Sequence, residues 1–313
     1  MSDEPDVDTL GIKALRELIS SAGLSYEDCI EKSDLRARAR EALEVKKSKP
    51  PPAAASASSG GTREFGGYSC IVKGPADLLA GDASAAPADL LVICLHGLGA
   101  TNTDLAEVPS VLASYDQSLG KARIVCVFPQ APMGPMGSAW WQFDAMGFMQ
   151  AQMTPAGPQR EALVAKLIRT EPSGLGDCRQ RMSTLIAESR KLAGNLPPSK
   201  ICLMGFSLGA ITALDLALQQ PEGEGIGGVV FMNGAPIVVD QWAERLEKAH
   251  KGIKVYLTGG LADMTLPNEC SGWVLQLLQA KGANVVHKYH PGGHEIGGPD
   301  ILTAISRFVA GFL

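Results

Sequence analysis

A serine between glycines, followed downstream by carboxylates and histidines, is the residue set of nucleophilic acyl transfer, and Gly205-Phe206-Ser207-Leu208-Gly209 raises that chemistry here. The pattern alone also fits an ordinary strand-to-helix turn with serine as the helix N-cap. Its surroundings favour the first reading. Ile201 to Met204 is a short apolar run, and beyond it Ile211, Leu214 and Leu218 recur at helical spacing. In such a strand-turn-helix setting, small neighbours permit a strained turn that presents the serine hydroxyl.

A serine nucleophile needs a base to take its proton and an acid to orient that base, in the chain order Ser, Asp or Glu, His. Four histidines follow Ser207. His250 sits at a polar, Lys-rich helix end and is expected to be solvated. His287 and His290 belong to the last strand. His294 lies in the glycine-rich "HPGGHEIGG", where a loop can reach over the strand ends, and is favoured as the base. Asp263 in "GGLADMTLP" follows an apolar strand and is favoured as the acid; Asp240, before an amphipathic helix, reads as an N-cap. The oxyanion of acyl transfer requires two donors. The backbone N–H of Leu208, next to the serine, is one, and that of Leu98 in "LHGLGA" is the candidate for the other, with His96 read as structural.

These groups require a frame that brings distant loops together. From Tyr68 onward, short apolar runs ("YSCIV", "DLLVICLHG", "RIVCVFPQ", "KICLMGFS", "GGVVFMNG", "IKVYLTGG", "NVVHKYH") alternate with helical patterns near 176–193, 208–220, 241–251, 270–281 and 300–312. Near-continuous apolar strands between helices predict an α/β fold with a mostly parallel sheet covered on both faces, whose ligands bind at the carboxyl ends of the strands. Upstream, residues 1–46 carry helical spacing at Leu10, Ile12, Leu15, Leu18 and Ile19, then a second helix from Ser33 with Leu35 and Leu43. Residues 47–64, rich in Pro, Ala, Ser and Gly, read as a linker. Residues 65–313 form the second domain.

The motifs "LHGLGA", "FPQAP", "AWWQFD", "GFSLGA", "GGLADMTLP" and "YHPGGHEI", in that order, resemble the acyl-protein thioesterase, carboxylesterase and phospholipase family of α/β-hydrolases, over roughly residues 68–313. The resemblance implies Ser207 as nucleophile, Asp263 as acid, His294 as base and an oxyanion hole at Leu98 and Leu208, with no cofactor or metal. The implied substrate is an acyl ester or an S-acylated protein. Trp140, Trp141, Phe143, Met264 and Leu266, with Met146, Met149 and Met153, are read as lining an acyl pocket, with at least one of the tryptophans packing beneath the loop instead. The family commonly has Gln after the nucleophile and Gly two places further on, where this chain has Leu208 and Ala210. The Met-rich segment 145–172 is longer than the family's and reads as a partial lid or acyl-binding wall. Other readings are a lysophospholipase or small-ester carboxylesterase and, from a different class, a catalytically silent docking protein on the same scaffold.

The chain of 313 residues has net charge −5 and pI about 5.6, so nucleic acid is not the default partner. "IKALRELISSAGLSYEDCIEKSDLRARA" resembles SAP-type helical hairpins, some of which bind DNA. Residues 1–47 hold eleven Asp and Glu against eight Lys and Arg, which favours a protein-docking or solubilising hairpin. Seven scattered cysteines, none in a CxxC pair, and an acidic start fit a reduced, cytoplasmic setting without a membrane anchor.

Overall fold

The computed structural model describes residues 7, 15, 19, 32–48, 58–134 and 137–313. Two compact units divide the chain, Met1–Ala55 and Ser56–Leu313. In the first, the helix Lys32–Ser48 carries Leu35 and Ala39 into a small apolar cluster with Val7, Leu15 and Ile19. The rest of the expected first helix lies outside the described residues.

The second unit is built on an eight-stranded sheet. In chain order its strands are β1 (Ser58–Phe65), β2 (Tyr68–Pro75), β3 (Leu90–Leu95), β4 (Ile124–Pro129), β7 (Ile201–Phe206), β8 (Gly228–Met232), β9 (Lys254–Gly260) and β10 (Asn284–His290). β5 (Met133–Gly134) and β6 (Gly137–Ser138) form a separate small hairpin. The spatial order is β1-β2-β4-β3-β7-β8-β9-β10, antiparallel at β1, β2 and β4 and parallel beyond. This is the expected α/β architecture, and the seven apolar runs are seven of its strands.

β1 corrects the expected linker. Ser58–Phe65 pairs along its whole length with β2, from Ser58 opposite Pro75 to Phe65 opposite Tyr68. Its sequence, SSGGTREF, has no alternating apolar face, so it follows its neighbour's ladder rather than its own β preference.

The two-residue period of the central strands sends alternate side chains to opposite faces. Leu91, Ile93 and Leu95 enter one buried cluster, with residues from the helices Leu175–Leu192, Leu208–Gln219, Val239–Lys248 and Asn268–Ala280. Leu90, Val92 and Cys94 enter the other, with Leu112 and Ile305 from the helices Val108–Tyr115 and Pro299–Ala310. All six described cysteines are free and buried. Strand order reverses at β3, which pairs with β4 on one side and β7 on the other, and such a switch point opens a crevice at the strand ends. Among the described residues no helix is long and apolar enough to cross a membrane.

Candidate active site

Ser207 stands where β7 gives way to the helix Leu208–Gln219, with φ 55° and ψ −122°. A non-glycine residue there is strained, and surrounding structure must hold it. Two glycines make the turn feasible. A Cβ added at Gly205 would fall on the carbonyl oxygen of Gly209, and one added at Gly209 would fall on that of Leu95. The Ser207 N–H donates to the Met232 carbonyl at 2.8 Å, tying the turn to β8.

The histidine and the acid reach this turn from β10 and β9. His294 Nε2 lies 2.9 Å from Ser207 Oγ, and its Nδ1 lies 2.7 Å from Asp263 Oδ2. The sensible tautomer has the serine O–H donating to Nε2 and the Nδ1–H donating to the carboxylate. Asp263 is 5 % exposed. Its Oδ1 accepts from the backbone N–H groups of Thr265 and Leu266 at 2.8 and 2.9 Å. Burial pushes this carboxyl up, but the hydrogen bonds from His294, Asn233 and the Leu266 N–H outweigh burial and hold it below its ordinary value.

Asn233 was not singled out from the sequence. It follows β8 at φ 53° and is almost fully buried, and asparagine is among the few side chains that tolerate that conformation. Its Nδ2 donates to Asp263 Oδ2 at 3.1 Å and to the Gly293 carbonyl at 3.3 Å. One amide thus joins the acid to the loop carrying the histidine. The only sequence signal is a polar residue ending an otherwise apolar strand.

The candidate oxyanion donors sit beside the serine. An added Cβ at Gly97 would lie 3.3 Å from Ser207 Cβ, so a side chain there would crowd the serine. Leu98 and Leu208 both line the cavity in front of Ser207. Among the described residues, no carbonyl takes the N–H of either. His96 braces this loop. Buried, it donates from Nδ1 to the Gly97 carbonyl at 2.8 Å and accepts at Nε2 from the Ala131 N–H at 3.1 Å, while burial pushes its pKa down and keeps it neutral.

The cavity has a volume of about 580 Å³. Of the residues expected to line it, Phe143, Met264, Leu266 and Met149 do so. Trp140 and Trp141 do not. Trp140 donates its indole N–H to the His96 carbonyl at 2.9 Å, and Trp141 to Thr212 Oγ1 at 3.0 Å; both are buried, because an indole with a fixed partner packs beneath the loop instead of facing the opening. Met146 and Met153 are 66 % and 79 % exposed and also lie off the cavity wall. The segment read as a lid or wall forms two helices, Ala145–Met153 and Pro158–Arg169. Ala145, Phe148, Met149 and Gln152 of the first face the cavity. That i, i+3, i+4, i+7 spacing is present in the sequence, and Phe148 and Gln152 were missed because the segment was read undivided.

The rejected alternatives fall elsewhere. Asp240 is exposed and pairs with Arg169. His290 is buried at the end of β10. His250 is not solvated as expected: it is 5 % exposed, with Nε2 3.0 Å from the Gln220 carbonyl at the end of the helix Leu208–Gln219, a partner 30 residues away in sequence. Among the described residues no group of three or more His, Cys, Asp and Glu side chains is placed to hold a metal ion.

Known proteins share this architecture. The phospholipase/carboxylesterase family model matches residues 82–312. A probable carboxylesterase, SOBER1-like, of Arabidopsis thaliana is 24% identical over 216 residues, 67% of this chain and 74% of its own. Acyl-protein thioesterase 1 of Debaryomyces hansenii is 24% identical over 235 residues, 72% of this chain and 93% of its own. Among solved structures, esterase PE8 superposes with a TM-score of 0.57 at 21% identity, over 82% of this chain and 99% of its own. A carboxylesterase from Mesorhizobium loti does so with a TM-score of 0.55 at 20% identity, over 81% and 99%. At these identities the structural likeness establishes the α/β-hydrolase fold alone, whereas the family model spans most of the sequence, and the chain belongs to the phospholipase/carboxylesterase family.

Proposed function

We propose that the protein is a serine hydrolase that cleaves carboxylic ester or thioester bonds of acyl substrates. Ser207 attacks the acyl carbon while His294 takes its proton; Asp263 holds the imidazole, and the Leu98 and Leu208 N–H groups receive the oxyanion. The leaving alcohol or thiol departs with the proton from His294, and water, activated by the same imidazole, releases the acid from the acyl-enzyme. The observation that carries this reading is the unbroken line of hydrogen bonds, 2.7 and 2.9 Å, from Asp263 through His294 to Ser207.

The nature of the walls supports an acyl chain of appreciable length. Leu98, Leu105, Phe143, Phe148, Leu208 and Ile296 offer an apolar surface in a volume within the range of small-molecule pockets, ~300–1,000 Å³. Relatives carry the names carboxylesterase and acyl-protein thioesterase, and removal of acyl groups from S-acylated proteins fits these walls. A lysophospholipase or small-ester carboxylesterase is the second reading, resting on the family's own description. The complete serine, histidine and acid set argues against a silent scaffold. Matched ester and thioester series of increasing chain length provide the test. Turnover that rises with chain length and disappears in Ser207→Ala supports the proposal; wild-type protein inert towards every member defeats it.

A further inference from the structure

Each of the parallel strands β3, β4, β7, β8, β9 and β10 leads, at the Ser207 side of the sheet, into a segment without a single Lys or Arg. Residues 74–120, 124–159, 201–244, 255–280 and 289–306 contain none. These stretches include the loop after β3, the helix Ala145–Met153, the serine turn, the acid loop and the histidine loop. Basic residues fall between them, as at Lys121, Arg123, Lys200, Arg245, Lys281 and Arg307. Among the described residues the cavity wall has the same character: apart from the imidazoles of His96 and His294, none that lines it is basic. Two exposed carboxylates line it, Asp104 from the loop after β3 and Glu295 next to the histidine. Asp104 is held in place by the Thr101 N–H and hydroxyl at 3.2 and 2.9 Å.

Taking Ser207 as nucleophile, we propose that this site selects substrates by the charge of the leaving group, accepting acyl esters and thioesters of neutral or cationic alcohols and thiols and turning away anionic ones such as acyl-coenzyme A. The inference rests on the functional reading above and narrows its substrate class. An anion entering here meets, among the described lining residues, carboxylates and no Lys or Arg. A cation gains from the same field, which a cleft with low-dielectric walls focuses on its contents. Recognition of a phosphate-bearing leaving group would require Arg or Lys forks, and the wall supplies none.

The experiment compares one acyl chain, octanoyl, on three thiols: coenzyme A, N-acetylcysteamine and thiocholine. At low ionic strength kcat/KM is expected to be about 10-fold or more higher for the thiocholine ester than for the coenzyme A ester, with the neutral ester between them. Raising salt from about 10 mM to about 0.5 M shortens the reach of the field several-fold and should narrow that ratio. Bulk is insensitive to salt, so the narrowing separates charge from size. In the Asp104→Asn/Glu295→Gln double variant the low-salt ratio should fall by about threefold or more. Coenzyme A and thiocholine esters cleaved equally well at low salt, a ratio that ignores salt, or one the double variant leaves unchanged would each overturn the inference while leaving the hydrolase reading intact. Failure of folded wild-type protein to cleave any of the three would overturn both.

Discussion

Two helices near the site are built in opposite ways. Leu208–Gln219 buries every residue from Leu208 to Leu218, whereas Pro158–Arg169 buries none. The first lies against β3, β7 and β8, and its Asp215 is 1 % exposed, clasped by two Arg179 N–H groups at 2.7 Å and by the Trp242 indole at 2.9 Å. The second is attached by surface pairs, Arg160 with Glu269 and Arg169 with Asp240, of the kind worth ~0–1 kcal/mol each. Helix Ala145–Met153, between the chemistry and the surface, buries only Phe148 and Ala151. Under the proposed function this contrast is a division of labour: a densely packed frame holds Ser207, Asp263 and His294, and a lightly held wall would receive the acyl chain. Changes in the frame should therefore act on kcat or on folding, and changes in the wall on chain-length preference.

The largest effect is expected at the histidine. His294→Ala should lower kcat by about 10⁴-fold or more, with a melting temperature near that of wild type; a modest loss would break the assignment of the frame to chemistry. Asp215→Asn should cost about 3 kcal/mol in urea denaturation, since it leaves the Arg179 guanidinium without its buried counter-charge. A cost under about 1 kcal/mol would place this clasp in the same class as the surface pairs holding the wall.

Asn233→Asp should reduce kcat by about 10- to 100-fold, because it removes a donor from Asp263 and sets a second carboxylate beside it. It also changes the response to acid. The Asp263 carboxyl is held low in the folded protein, so it adds stability above the ordinary carboxylate pKa of ~4 and loses it as pH falls through the lower folded value. A like charge raises the folded pKa of the pair, and the midpoint of acid unfolding should move to higher pH. Asn233→Gly keeps the backbone conformation and tests the missing amide alone.

The wall should respond more gently. Phe148→Ala removes a stacked partner of Phe143, 5.1 Å away, and should lower kcat/KM for long acyl chains by about 3- to 30-fold relative to short ones, the range expected for part of an apolar pocket. Met146→Gln, outside the cavity wall, should change that preference by less than about twofold, as surface substitutions usually do.

The same division explains how much could be read in advance. Ile201–Phe206 and Leu208–Gln219 were legible because an apolar run passing into helical spacing is a local signal, and Asp263 and His294 were legible because each sits on a loop after a strand of that frame. The tryptophans were misplaced because pocket lining depends on where an indole N–H finds its acceptor, His96 or Thr212, and those partners are distant in sequence. Asn233 was missed for a related reason: its amide spans 30 residues to Asp263 and 60 to Gly293. Ser58–Phe65 reads as linker because it is polar and glycine-rich, and only its pairing with β2 makes it a strand. Non-local partners decided each of these cases, and periodicity along the chain does not carry them.

If Ser207 is the activated nucleophile, a fluorophosphonate probe will react with it, and peptide mapping of the labelled protein reads that out. The expected result is a single phosphonylated serine at position 207, absent in Ser207→Ala and strongly slowed in His294→Ala. Labelling at another serine, or equal labelling of the Ser207→Ala variant, would contradict it.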